Sequence, residues 1–460
     1  MIRPRAVRPL FLAALLGTGA CAYYNSMYGA VHLAKSAERA ERLGRTFDAQ
    51  SDWAQVAAKA ETTIVRHPRS RWALPARFLE GKAYQRLNSC ERAIGPLEIA
   101  RSESPDSATV SEARALLGDC YTKLGDPAAA AAAFRPLLSS SDPAVRHAAL
   151  FAVGVAELSS GQPADADGHL LASGDPRAPA YRVLALARAG HPAAAAALAD
   201  TLLDRKDSTV IWDSVFAAVG GADPMLGSAL VDRRAAAPDV TPQQKATWLV
   251  DDAHRLLGVD TARAFARFAT VDSLQPGSEP ARQAAVARAG VWSSRATGAA
   301  DLDSAERYLA AFAATSGAAA YQVGPELAAV RWLGGELDSL TPAVSPGDVR
   351  TFLAGEFARD SVGARQVALL LFRRLAVEAP ASPYAPKALL ALARLQPASA
   401  DSIAAVLRAD YAASPYTLAI DGAAAPGYST LEDSLLSYAT AHPHAPWRVA
   451  PKRTRRDDLR

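Results

Sequence analysis

Apolar, small and turn-forming residues recur along the chain in a pattern typical of paired helices. One series runs through Gly81, Tyr84, Ala93, Leu97, Ala100 and Pro105, and the next through Gly118, Tyr121, Ala130, Phe134, Leu137 and Pro143. Turn residues such as Asn88-Ser89 and Gly125-Asp126 divide each series. Small residues let two antiparallel helices approach closely, larger ones fill the space between them, and proline ends the second helix. The pattern predicts an all-α chain of antiparallel helix pairs.

The same frame recurs elsewhere in the chain. Its further members are Gly44, Phe47, Ala60 and Pro68; Gly154, Ala166 and Leu170; Ala264, Phe268, Val271 and Pro276; Ala305, Leu309 and Phe312; and Ala368, Phe372, Leu375 and Pro380. The series resembles the G-x-x-Y…A-x-x-x-F…A…P skeleton of the tetratricopeptide repeat (TPR). That resemblance implies a superhelical solenoid of TPR-like repeats, a fold that usually binds protein partners along the first helix of each pair.

The repeat pattern also predicts the division of the chain. TPR-like repeats are expected over 29–333, and the Gly- and Pro-containing stretch 334–348 is expected to be a linker. Repeats resume over 349–425. Because the periodicity fades after Tyr428 and the last residues are rich in arginine, 426–460 is expected to be a mobile basic tail.

The first residues have the pattern of an export signal. Residues 1–20 combine three arginines with a short apolar run and small residues, which predicts a signal peptide. Thr18-Gly19-Ala20-Cys21 resembles a bacterial lipobox, so the resemblance implies lipidation of Cys21 and a lipid-anchored tether over 21–28. Ala22 then implies the outer membrane, with the body facing the periplasm. The alternative is an ordinary signal peptide cleaved after Ala20, which leaves Cys21 unmodified.

A junction motif extends the resemblance to a narrower class. The segments from Pro68 to Ala73 and from Pro380 to Ala385 share the pattern P-x-S-x-(aromatic)-A, and Ser414-Pro415-Tyr416 is a fragment of it. In physical terms, proline stops one helix, serine caps the next and the aromatic side chain packs in the corner. Together with the lipobox, this junction resembles bacterial envelope TPR lipoproteins, among them the TPR lipoprotein of the outer-membrane β-barrel assembly machine.

Charge and motifs narrow the function. The net charge is only +3, and basic residues form no nucleic-acid footprint. We find no nucleophile elbow, phosphate-binding loop, zinc-binding helix or dinucleotide fingerprint, so we predict no enzyme activity, cofactor or metal. The leading hypothesis is an outer-membrane-anchored scaffold for envelope proteins or peptides. Alternatives are a cell-division or peptidoglycan coordinator of the same architecture, and an enzyme whose helical catalytic domain lies within 174–350.

Two sets of candidate site residues follow from the frame. Cys90 and Cys120 lie on neighbouring antiparallel helices, so they are candidates for a disulfide or, alternatively, are two small buried residues. Positions around each glycine are expected to line a peptide-binding groove, on which we place Phe78, Lys82, Gln85, Asp119, Thr122 and Phe151. The alternative for the charged members is a simple Lys82–Asp119 pair on a solvated face.

Overall fold

The computed structural model describes residues 27–207, 210–339 and 348–442, and within these ranges the chain is all-α, without a strand. The predicted signal peptide and Cys21 lie outside the described residues. We number the helices α1 Tyr28–Arg42, α2 Thr46–Arg66, α3 Ala73–Arg86, α4 Cys90–Glu103, α5 Ser107–Lys123, α6 Pro127–Phe134, α7 Pro143–Ser159, α8 Pro163–Ser173, α9 Ala178–Arg188, α10 Pro192–Asp204, α11 Trp212–Ala222, α12 Pro224–Ala235, α13 Pro242–Leu256, α14 Thr261–Leu274, α15 Glu279–Arg295, α16 Ala299–Ala313, α17 Gly324–Ser339, α18 Asp348–Phe357, α19 Arg365–Glu378, α20 Ala385–Leu395, α21 Ala400–Asp410, α22 Pro415–Ile420 and α23 Tyr428–Ala441.

Consecutive helices pack as antiparallel pairs through the predicted small-to-large contacts. A Cβ atom added to Gly81 would lie 2.6 Å from Leu97 Cγ, and one added to Gly154 would lie 2.7 Å from Leu170 Cγ. Each of these glycines thus allows the second helix to pack against the backbone of the first. The prediction of an all-α solenoid of TPR-like helix pairs is confirmed.

The first repeat is paired differently from the prediction. Gly44 lies in the turn between α1 and α2 with a φ of +70°, and Gly125 lies in a later turn with a φ of +75°. No atom lies within 4 Å of a Cβ atom added to Gly44. It therefore supplies a left-handed turn, not a close helix contact. Phe47 is 82 % exposed. The buried small and large side chains of this pair are Ala37 and Trp53, which lie in one core cluster.

The chain forms two compact units, with the boundary between Leu230 and Val231. The second unit repeats the pairing with one change, since a Cβ atom on Gly355 would lie 2.6 Å from Phe372 Cε1. One π-helical turn, Ala358–Val362, follows α18. It inserts a residue between the two contact positions, which explains why sequence spacing alone did not find Gly355.

Two predicted segment boundaries are wrong. Residues 334–339 belong to α17 and are not a linker, whereas 340–347 lie outside the described residues. The predicted mobile tail begins with α23, which buries Tyr428, Leu435 and Ala439 on one face. These residues are spaced as on one face of a helix, but three buried positions in fourteen residues are a weak signal of a packed helix in a sequence. The basic residues after 442 lie outside the described part. None of the described helices is both long and apolar enough to cross a bilayer.

Candidate functional site: the first-helix face of the first unit

The first helices of successive pairs share one surface, which we call the first-helix face. In the first unit, α1, α3 and α5 lie side by side, as do α7, α9 and α11. The repeat fixes this arrangement because each second helix packs behind its own first helix. Side chains near each glycine position therefore fall on one surface, as the groove prediction assumed.

Lys82 connects three first helices by ion pairs. Its Nζ atom donates to Glu38 Oε1 on α1 at 2.8 Å and to Glu112 Oε1 on α5 at 2.7 Å. Burial lowers the pKa of Lys82, but hydrogen bonds and attraction from Glu112 and Glu38 outweigh burial, so the pKa is raised. The ammonium group therefore stays charged at neutral pH and ties the three helices together. The alternative Lys82–Asp119 pair is not what the structure contains.

The other predicted groove residues differ in accessibility. Asp119 and Thr122 are exposed, and Phe78 is half-buried against the core. Gln85 is only 6 % exposed and Phe151 only 9 % exposed, which leaves little of either side chain for a partner. Both therefore contribute mainly to packing, contrary to the groove prediction.

Phe151 is covered by neighbours that the sequence frame did not identify. The ring of Tyr181 packs edge-on against it with centroids 5.4 Å apart, and the Arg177 guanidinium lies 4.2 Å from its ring centroid. Phe151 thus joins α7 to α9, and a cation–π contact closes its outer side. The surface next to it is formed by Val155 and Leu184, which are half-buried.

An open cleft of about 500 Å³ lies between α9 and α11 on the same face. Its lining residues are small apart from one arginine: Ala187, Arg188, Ser214, Ala217, Ala218, Gly221 and Ala222. Arg188 Nη1 donates to the carbonyl oxygen of Leu158 on α7 at 3.5 Å. Sequence reasoning missed this cleft. A run of alanine and glycine in a sequence indicates only that helices pack closely. Here the small side chains of α9 and α11 leave the space between the two helices unfilled.

Cys90 and Cys120 connect α4 to α5, one of the three helices that the Lys82 ion pairs join. The structure joins their sulfur atoms in a disulfide, with Cα atoms 5.1 Å apart, and both side chains are buried. The bond links the first residue of α4 to α5, and so connects two successive helix pairs. A separation of 5.1 Å lies within the range that a disulfide spans without backbone movement.

The chemistry of this face favours binding. Within residues 27–207, 210–339 and 348–442, no group of three His, Cys, Asp or Glu side chains is arranged to hold a metal ion. Charged side chains at one end pair with one another, and small side chains at the other end leave an open cleft with one guanidinium group. Such a surface offers hydrogen bonds and apolar area to an extended chain.

Comparison with known proteins adds two structural similarities. No protein-family model and no curated protein matches the sequence. A tetratricopeptide repeat protein from Parabacteroides merdae ATCC 43184 is similar over 56 % of this chain and 99 % of its own, with 14 % identity and a TM-score of 0.37. The Naa15/Naa10 complex bound to HypK-THB is similar over 90 % of this chain and 73 % of the matched chain, with 13 % identity and a TM-score of 0.23. The fold assignment itself rests on the helix-pair contacts described above.

Proposed function

We propose that this chain is a lipid-anchored scaffold of the bacterial outer membrane that binds envelope proteins or peptides through the first-helix face of its first unit. The all-α repeat fold is of a kind that acts mainly through protein–protein contacts. The proposal adds a membrane, a compartment and a class of partner to that general role.

The observation that carries the proposal is the arrangement of the first-helix face. The Lys82 ion pairs hold α1, α3 and α5 in place, and the cleft between α9 and α11 leaves about 500 Å³ open beside Arg188. A rigid ion-paired platform followed by an open small-residue cleft suits an extended peptide, because little ordering of the scaffold is needed on binding. The Arg188 guanidinium would favour a partner that carries a carboxylate at this point.

Two features support an envelope location. The lipobox-like segment that ends at Cys21 is typical of proteins anchored by diacylglycerol. A disulfide between Cys90 and Cys120 is typical of an oxidising compartment such as the periplasm. A contribution to outer-membrane protein assembly rests on the resemblance to the TPR lipoprotein of the assembly machine, and specifically on the shared junction motif.

Crosslinking and affinity capture of the lipidated protein from native envelopes test the proposal. We expect wild type to recover a defined set of outer-membrane proteins. Ala217→Trp, which fills the exposed cleft on α11, should lose that set. The matched control is Ala197→Trp, which adds the same ring at an exposed position on α10.

Localisation is tested separately with Cys21→Ser. We expect this variant to leave the membrane fraction and remain in the periplasm. If Cys21→Ser fractionates like wild type, the lipid anchor is wrong. If both tryptophan variants recover the same proteins as wild type, the cleft between α9 and α11 is not the binding surface.

A further inference from the structure

Helix α23 packs by one stripe on the first helices of the second unit. Tyr428, Leu435 and Ala439 are buried, whereas Ser429, Asp433 and Ser437 on the other side are exposed. Tyr428 packs edge-on against Tyr416 of α22 with ring centroids 5.5 Å apart. An amphipathic helix of this kind is held by the surface beneath it and not by its own propensity.

A buried charge pair fixes the position of α23. Lys387 Nζ on α20 donates to both carboxylate oxygens of Glu432, at 2.5 and 2.7 Å, and the Tyr416 hydroxyl donates to Glu432 Oε1 at 2.7 Å. The side chains of Lys387 and Glu432 are only 5 % and 12 % exposed. The Tyr384 hydroxyl also donates to the carbonyl oxygen of Leu431 at 3.2 Å. These contacts favour a helix with glutamate at this position, because its carboxylate pairs with the buried ammonium group.

The shared junction motif identifies the surface beneath α23 as a first-helix face. Aligning Ser382 and Tyr384 with Ser70 and Trp72 places Lys387 where α3 has Pro75. The two serines have the same geometry, since Ser70 Oγ accepts from the Trp72 amide at 3.3 Å and Ser382 Oγ accepts from the Tyr384 amide at 3.1 Å. Lys387 therefore lies on the face that in the first unit is the candidate binding surface.

The burial of the aligned residues around Lys387 in α20 and Pro75 in α3 differs between the two units. Residues 384–388 at the start of α20 are all buried, whereas 72–74 at the start of α3 are half-buried and Pro75 is exposed. Five consecutive buried residues on a helix require cover on every side. In the second unit α23, together with α22, supplies this cover, whereas Pro75 is exposed among the described residues of the first unit.

The connection to α23 permits release. Residues 421–424 and 426–427 are exposed, and Gly422 and Gly427 have φ values of +73° and +85°. Because this connection contains no helix and is mostly exposed, α23 can leave its position without unfolding an adjoining helix.

We infer that α23 is an intramolecular occupant of the first-helix face of the second unit. That face also accepts an amphipathic helix of a partner protein, provided that it carries a glutamate in place of Glu432. The identity of such a partner rests on the proposed scaffold function. The intramolecular contact of α23 is independent of that function. Exchange of α23 can therefore fail while the cleft of the first unit still binds envelope proteins, and the cleft can fail to bind while α23 still exchanges.

Cleavage of the full chain within the connection tests the inference without changing either surface. A protease recognition sequence is inserted between Ala424 and Ala425, the protein is cut, and a fluorescent peptide of residues 425–442 is added as a competitor. We expect the released fragment to stay bound and then to exchange with the peptide, while the uncut protein binds the peptide far more weakly. A Glu432→Gln peptide should bind on the order of a hundredfold more weakly, because it removes the ion pair between Glu432 and the buried Lys387 ammonium group.

A Ser429→Ala peptide is the control, since it changes only an exposed side chain of α23 and should bind like wild type. The inference is overturned if the cut protein stays folded by circular dichroism but never exchanges its fragment, because α23 is then a fixed part of the fold. Unfolding of the second unit after cleavage overturns it for the same reason. Equal binding of the Glu432→Gln peptide excludes the charge anchor. If light scattering shows a stable dimer of the uncut protein, α23 of a second copy binds the first-helix face of the second unit. That result overturns the inference that this face binds a helix of a partner protein.

Discussion

The contact between Gly118 and Phe134 gives the sharpest test of how the helix pairs are held. A Cβ atom on Gly118 would lie 2.4 Å from two atoms of the Phe134 ring, about 1 Å closer than van der Waals contact allows. Phe134 is 6 % exposed, so its ring cannot move into solvent without leaving the core. Overpacking of this kind costs about 1–3 kcal/mol. Alanine recovers about 1 kcal/mol of helix propensity, so Gly118→Ala should lower the free energy of unfolding by about 1 kcal/mol.

Gly168→Ala is the matched control, because Gly168 lies inside α8, is exposed, and has no atom within 4 Å of an added Cβ. This variant should gain up to about 1 kcal/mol from helix propensity alone. Urea unfolding followed by far-ultraviolet circular dichroism compares the two variants with wild type. Hydrogen exchange then shows whether the loss is confined to α5 and α6, as nearest-neighbour coupling in a repeat array requires. A Gly118→Ala protein as stable as Gly168→Ala would refute the close-contact reasoning.

Three further predictions concern the disulfide, the ion-pair network and a buried phenol. The Cys90–Cys120 disulfide closes a loop between residues 30 positions apart, so its reduction should lower the free energy of unfolding by about 3–4 kcal/mol. A thermal unfolding midpoint that does not change with reductant would contradict the bond. Lys82→Glu brings three carboxylates together and should cost about 2 kcal/mol at pH 7 in urea unfolding, whereas Lys82→Met should cost less; equal losses would exclude charge as the cause. Burial and a hydrogen bond to Asp272 raise the pKa of Tyr308. Stability that this phenol contributes is present below its unfolded pKa of about 10 and is lost as pH rises above it. Tyr308→Phe should therefore flatten the alkaline decline in urea midpoint, and an identical decline in both proteins would exclude Tyr308.

The helix pairing was predictable from sequence where a glycine on one helix and a large side chain on the next form a contact at a fixed spacing. Gly81 with Leu97 and Gly154 with Leu170 recur at one spacing, and close helix approach requires that combination. Gly44 fitted the same spacing for a different reason, since glycine is favoured both at close contacts and at left-handed turns. Its φ of +70° separates the two uses, and a sequence does not contain that angle.

Features that depend on distant residues were not predictable. The cleft between α9 and α11 exists because small residues on two helices face each other across a gap, and each run alone indicates only a packed helix. Similarly, the partners Glu38 and Glu112 of Lys82 belong to neighbouring pairs, and their distances to its Nζ atom depend on how those pairs stack. Such arrangements are set by packing between repeats, whereas the motif specifies packing within a repeat.

The position of Lys387 indicates where specificity lies in this chain. Repeat residues at the close helix contacts, such as Gly81 with Leu97 and Gly355 with Phe372, fix the helix pairs, and they are buried in both units. The register that holds Pro75 in α3 and Lys387 in α20 is not part of the motif, yet it is exposed in one unit and covered by α23 in the other. Because a buried ammonium group needs a counter-charge, the change from proline to lysine alters which chain can occupy the face without altering the fold beneath it. Partner choice in such a scaffold is therefore expected to follow the residues between the motif positions, and variants at the exposed ones, such as Ala217, should change binding while leaving unfolding nearly unchanged.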